Sequence, residues 1–166
     1  MSLKIIRAVK NDAKQIHDLV LSAFARYASE VGFVVAALKE SEEDIIADIE
    51  NKNVFIAVSD NKVVGSIRYE KIKNIAYISR FSASANTKID NIGKSLIDYV
   101  KEECSASGID AICLHTSTKL TGLVRFYYKC GFFVFDINRD RGYPRGLFVC
   151  PLTDRESDYV ALTERY

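Results

Sequence analysis

The chain predicts an α/β domain of the α+β kind: a mixed, mostly antiparallel central sheet of about six to seven strands flanked by helices. Three observations carry this. Two stretches with apolar residues at helical spacing follow a first short strand. Three strand-like runs then succeed one another across the tight turns Asp60-Asn61 and Lys73-Asn74. Beyond them the order is helix, strand, helix and two more strands. With 166 residues and no linker, repeat or low-complexity segment, residues 1–166 read as a single domain able to bury a core of its own.

In order along the chain, residues 3–9 form the first strand. Asp12 with Gln15 three residues on resembles a capping box, and Ile16, Leu19, Val20, Ala23, Phe24 and Tyr27 share one helical face. Residues 28–40 read as a loop with an apolar cluster of Val31, Phe33, Val34 and Val35, after which Ser41 opens a helix with Ile45, Ile46 and Ile49 on one side. Residues 54–59 and 63–70 form a hairpin, and residues 75–81 complete a meander. An amphipathic helix over 92–104 stops at Gly108. Residues 109–114 are nearly all apolar, as in a strand covered on both faces. A short helix over 121–130 precedes strands at 132–137 and 146–149, and the polar tail from Thr153 has no assigned place.

Composition narrows the function. Apolar residues at 48% and charged residues at 27% are globular values. The formal net charge of +1, from 23 basic and 22 acidic residues, gives no basic excess for wholesale binding to nucleic acid or to an anionic membrane. No apolar run approaches the roughly 20 residues of a membrane span, and the N-terminus MSLKIIRAVKND is too charged for a signal peptide. Cys104, Cys113, Cys130 and Cys150 are widely spaced without a C-x-x-C, which indicates neither a metal site nor a disulfide framework and fits reduced thiols in a cytoplasmic protein.

The stretch KIDNIGKSL, Lys88 to Leu96, is the most informative. A strand, a short loop and a glycine at the helix start place free backbone N–H groups at the positive end of a helix dipole, an arrangement that binds phosphate or pyrophosphate. Some 30 residues later FYYKCGF, Phe126 to Phe132, puts tyrosines on a helix that stops at Gly131. An anion loop followed by a helical tyrosine points to a phosphorylated cofactor whose chemistry needs a proton donor.

The element order, this loop and FYYKCGF together resemble the GNAT superfamily of acyl-CoA-dependent N-acetyltransferases, over about residues 3–152. The family's cofactor motif, Arg/Gln-x-x-Gly-x-Gly/Ala, is matched by Lys88, Asn91 and Gly93, with lysine for the first residue and asparagine for the first glycine. Asparagine is the best non-glycine occupant of a left-handed position. Asp90 within the loop is unusual beside phosphate. FYYKCGF is similar to the family's Tyr-x-Lys-x-Gly-Phe, but Leu120 stands where the family has an asparagine.

The resemblance implies acetyl-CoA as co-substrate, with no metal. The pantetheine arm would pair with the backbone of Phe81, Ser82 and Ala83, and the pyrophosphate would rest on Lys88, Ile89, Asp90, Asn91, Ile92, Gly93 and Lys94. Arg80 reads equally as a surface ion pair or as a phosphate ligand. Tyr127 falls at the family's catalytic tyrosine and would act as general acid toward the departing thiolate; Tyr128 points about 100° away. His115, at the end of the 109–114 strand, is the candidate general base, with a structural histidine or a water chain as alternatives. A thiol hydrolase built on Cys113 and His115 is a poor rival, since i and i+2 on a strand lie about 6–7 Å apart. Acceptor contacts are expected from Glu30, Phe33 and Glu40 before the second helix and from Tyr143 in NRDRGYPRG. Apolar walls with carboxylates suit a small-molecule amine, and exposure of the Val31 to Val35 cluster would indicate a homodimer interface. The reading from another class is a non-catalytic acyl-CoA-binding sensor of the same fold.

Overall fold

Alternating apolar residues and tight turns build seven strands: β1 (Lys4–Arg7), β2 (Asn53–Ser59), β3 (Lys62–Ile72), β4 (Ile75–Ala83), β5 (Ala111–Ser117), β6 (Phe133–Asn138) and β7 (Arg145–Pro151). The computed structural model describes residues 2–163. The strands form one sheet in the order β1-β2-β3-β4-β5-β7-β6. Pairing is antiparallel in β1/β2, β2/β3, β5/β7 and β6/β7, and parallel where Ile75–Tyr77 meet Ala111–Cys113. Among the described residues, four α-helices accompany it: α1 (Ala13–Val31), α2 (Glu42–Asn51), α3 (Ile92–Ala106) and α4 (Thr121–Lys129). By internal contacts the chain forms two units, Met1–Glu70 with Ser79–Tyr99, and Lys71–Ile78 with Val100–Tyr166.

In the first unit the β2–β3 register assigns the two faces. Val54 and Ile56 pack with Ile16, Val20 and Ile45, so α1 and α2 cover that face. Phe55 points the other way, with its ring 5.1 Å from Tyr99 of α3. The β2–β3 turn is set by Asp60 and Asn61, both left-handed at φ 49° and 60°, which is the geometry that matches strand twist. Gly65 lets α3 approach closely: a Cβ there would lie 2.7 Å from Ile92 Cγ2 and 2.8 Å from Leu96 Cδ1. The first turn of α3 is thereby seated on β3.

Two expectations change. Helix α1 runs on to Val31, because residues 28–31 continue the turn until Gly32, at φ 80°, ends it with its N–H on the Ala28 carbonyl. Glu30 and Val31 are therefore helical rather than in a loop. The capping box at Asp12 does not form either. The Asp12 carboxylate accepts from the Val9 N–H, 2.8 Å, and Gln15 Oε1 accepts from the Val63 N–H, 3.0 Å. The box forms at α2 instead, where Ser41 Oγ accepts from Asp44 N–H and Asp44 Oδ2 from Ser41 N–H.

In the second unit β5 continues to Ser117, so His115 lies inside the strand rather than at its end. The tail docks: a 3-10 turn, Val160–Leu162, buries Leu162 against Ile75, Tyr77, Ala111, Cys113, Leu147 and Val149. Asn138 Nδ2 donates to the Thr163 carbonyl, 3.0 Å, and Lys73 pairs with Asp158, 2.9 Å. Residues 164–166 lie outside the described residues.

Gly65→Val adds three carbons where Ile92 and Leu96 leave no space. The substitution is expected to lower stability by about 1–3 kcal/mol, the usual cost of overpacking. A lowered urea midpoint with an unchanged slope is the expected readout.

Candidate active site

The loop after β4 is shaped by short local bonds. Ser84 N–H reaches the Val64 carbonyl at 2.8 Å, Asn86 N–H the Ser84 hydroxyl at 3.3 Å, and Ile89 N–H the Thr87 hydroxyl at 3.2 Å. Asn91 then adopts φ 63°, the left-handed conformation that asparagine tolerates best after glycine. The first helical bond of α3 runs from Ser95 N–H to the Asn91 carbonyl, 2.9 Å. The N–H groups of Ile92 and Gly93 are thus first-turn donors with no partner within their own helix, at the positive end of its dipole. Lys88, Asp90 and Lys94 are exposed, and Lys94 Nζ pairs with Asp98 at 2.5 Å. First-turn N–H groups, nearby lysines and Asp90 turned to solvent are the features that suit a pyrophosphate here. Upstream, Ser82 is buried with its hydroxyl 3.4 Å from the Arg80 carbonyl, and the Ala83 carbonyl accepts from Arg26 at 3.5 Å.

Arg80 departs from strand geometry, with φ 51° inside β4, a strained value for a side-chain-bearing residue. Its Nε sits 3.5 Å from Glu40 Oε1. Of the two roles read for it, the structure records the ion pair. Glu40 is itself held by Arg68, whose two terminal nitrogens donate to its carboxylate at 2.6 and 2.9 Å. Arg68 Nη1 also reaches Asp48 Oδ2 at 3.0 Å. Arg68 is fully buried, and no sequence signal sets it apart from the other charged residues of the meander.

The remaining acceptor candidates are dispersed. Glu30 is exposed on the last turn of α1, and Phe33 and Val34 are exposed just beyond it. Tyr143 is only 7% exposed, which makes it a packing residue of its loop rather than an open wall.

In the second unit Tyr127 is buried on α4, its ring 5.4 Å from Phe132 and 5.5 Å from Phe148. Tyr128 is 54% exposed, as the helical rotation between neighbours requires. His115 does not share this face. It pairs in register with Leu147, on the side covered by Leu162, whereas Tyr127 packs on Phe148 of the opposite side. The two residues expected as acid and base therefore lie on opposite faces of the sheet. The cause is strand alternation: neighbours on β7 point to opposite faces.

His115 Nδ1 lies 2.6 Å from the Tyr77 hydroxyl, and among the described residues its buried Nε2 has no hydrogen-bond partner. Burial first, then the Arg145 and Arg141 cations, push its pKa down to about 4, against the opposing effect of the Thr163 main chain. The Cys113 thiol, pushed up to about 12 by burial and by neighbouring Cys150, stays protonated at neutral pH. That removes the nucleophile from the thiol-hydrolase reading.

The low His115 value makes stability depend on pH. Between the ordinary 6.5 and about 4, the unfolded chain binds a proton that the folded chain excludes. Stability is therefore whole above pH 6.5 and falls as pH drops toward 4. His115→Gln is expected to lose less melting temperature than the wild type between pH 7 and 4. Parallel curves for the two proteins would place the acid sensitivity elsewhere.

Comparison with known proteins agrees with this architecture. The model of the acetyltransferase (GNAT) family matches residues 14–132. No curated protein sequence matches the chain. Among solved structures, the PaiA N-acetyltransferase of Thermoplasma acidophilum in complex with coenzyme A is similar at 19% identity and a TM-score of 0.80, over 91% of this chain and 99% of that one. The ribosomal-protein-S18-alanine N-acetyltransferase of Escherichia coli is 13% identical with a TM-score of 0.76, over 95% and 98%. The IAA acetyltransferase of Bacillus cereus is 18% identical with a TM-score of 0.67, over 90% and 99%. At such identities the likeness speaks for the fold, and the family model carries the rest: the chain belongs to the GNAT family of acetyltransferases and is an acyltransferase.

Proposed function

We propose that the protein moves the acetyl group of acetyl-CoA directly to a primary amine of a small molecule, with both substrates bound together. The observation that carries the reading is the left-handed Asn91 ahead of α3, which leaves the N–H groups of Ile92 and Gly93 as first-turn donors. Such donors favour the pyrophosphate of CoA electrostatically, and Lys88 and Lys94 add positive charge. The backbone of Phe81, Ser82 and Ala83 is the segment assigned to the pantetheine arm.

Transfer forms a C–N bond at the thioester carbonyl carbon and breaks the C–S bond, leaving a thiolate. The Tyr127 hydroxyl gives its proton to that sulfur and is restored from solvent. The attacking amine must shed a proton. His115 is not assigned this task, because its depressed pKa makes it a weak acceptor and its ring lies under the tail. Water is assigned instead.

Acetyl-CoA is expected to raise the melting temperature, as any ligand of the native state does. Gly93→Asp, which adds a side chain and a negative charge to the first turn, is expected to abolish that rise. No rise in the wild type at millimolar acetyl-CoA would defeat the cofactor assignment.

Tyr127→Phe removes only a hydroxyl and keeps the ring contacts with Phe132 and Phe148. It is expected to lower kcat by roughly 10- to 1,000-fold, overlapping the range for loss of a general acid, with acetyl-CoA affinity little changed. Unchanged kcat, measured where chemistry limits turnover, would make Tyr127 a core aromatic. A wild type that binds acetyl-CoA but releases no thiol with a broad amine library would favour the sensor reading.

A further inference from the structure

The first unit holds a cleft of about 350 Å³ lined by residues of the α1–α2 connection, by α2 and by Arg80, a volume in the range of small-molecule sites. Its charges are unevenly satisfied. Glu40 has both oxygens bonded by Arg68. Asp48 takes a bond from Arg68 and lies 3.4 Å from Lys52. Asp44 is engaged with Ser41 at the start of α2. The three carboxylates therefore have their cations or donors already.

The cations do not all have anions. Among the described residues, Arg80 Nε is buried without a hydrogen-bond partner, and its ion pair, at 3.5 Å, is to a Glu40 already forked by Arg68. Lys39, which also lines the cleft and is exposed, has no carboxylate partner among the described residues. A buried guanidinium nitrogen left without an acceptor is costly. Here it is also held by a strained backbone, φ 51° in a strand, and such outliers gather at ligand sites.

We propose that this cleft receives a carboxylate of the amine acceptor, bound by Arg80 with Lys39 at its rim. The acceptors of this enzyme are then amino acids or related amino-carboxylates, and not polyamines or other purely cationic amines. A planar carboxylate matches the fork of a guanidinium, and a monoanion is tolerated beside Glu40 better than a dianionic phosphate. This inference rests on the acetyltransferase reading for its substrate but has a binding arm of its own.

The test compares matched pairs: L-phenylalanine with 2-phenylethylamine, L-methionine with 3-(methylthio)propylamine, and L-ornithine with putrescine. Thiol release from acetyl-CoA is expected to favour at least one acid over its decarboxylated partner by roughly 10- to 100-fold in kcat/KM, the worth of one hydrogen bond to a charged group. Arg80→Gln is expected to collapse that preference through the KM of the acid, and Arg80→Lys to restore part of it. A retained acetyl-CoA melting shift in both variants shows that they fold. Equal or better turnover of the decarboxylated partners, or a preference that survives Arg80→Gln, overturns the proposal. If no amine of either kind releases thiol, the transferase reading fails. Calorimetric titration of the same three amino acids into the acetyl-CoA-free protein then decides: binding lost in Arg80→Gln supports the carboxylate cleft, and no binding to the wild type overturns it.

Discussion

A fully buried arginine organises the first unit. Arg68 stands opposite Val54 in the β2–β3 register, on the face covered by α1 and α2, where an uncompensated charge would be prohibitive. It is compensated by two carboxylates from separate places: Glu40, at the end of the α1–α2 connection, and Asp48 in the middle of α2. One side chain thereby fixes that connection and α2 to the sheet. Removing one partner of such a group typically costs about 3–5 kcal/mol, because the other charge stays buried. The same fork keeps Glu40 from fully satisfying Arg80, so the stability of the unit and the unmet charge in its cleft have a common origin.

On the opposite face the constraint is steric. Gly65 has no side chain, so Ile92 and Leu96 descend onto β3, and contact with the strand seats the start of α3. Asn91 then turns the loop in the residue before the helix. The anion binding proposed for the segment therefore depends on two residues apart in sequence, Gly65 on a strand and Asn91 in a loop. The loop motif shows only the second.

Local signals made much of this legible. The meander turns, the left-handed Asn91, the Ser41 start of α2 and the glycine stops after α3 and α4 are encoded within a few residues, and each appears in the fold. The misreadings have equally local causes. Gly32 is a helix stop masked by the apolar residues around it, so sequence alone ends α1 too early. Asp12 and Gln15 had the right spacing for a cap, but each found a better backbone donor elsewhere. What depends on long-range register could not be read. Neither the pairing of Arg68 with two acids nor the docking of Leu162 between β5 and β7 residues has any signature in a single sequence.

The position of His115 follows from the same register and bears on the chemistry. On a strand buried on both faces, the face on which a residue lies is decided by pairing, and β7 puts Leu147 and Phe148 on opposite sides. His115 goes with Leu147, the tail and Tyr77; Tyr127 goes with Phe148. Burial and two arginines then keep the imidazole neutral, so it serves the packing of the C-terminal segment at little electrostatic cost. An imidazole whose conjugate acid is that strong holds a proton poorly at neutral pH, whichever face it occupies. In the proposed transfer, proton removal from the amine would accordingly fall to solvent or to the acceptor's own ionisation, and the donor to the thiolate would be the hydroxyl of Tyr127, buried on α4.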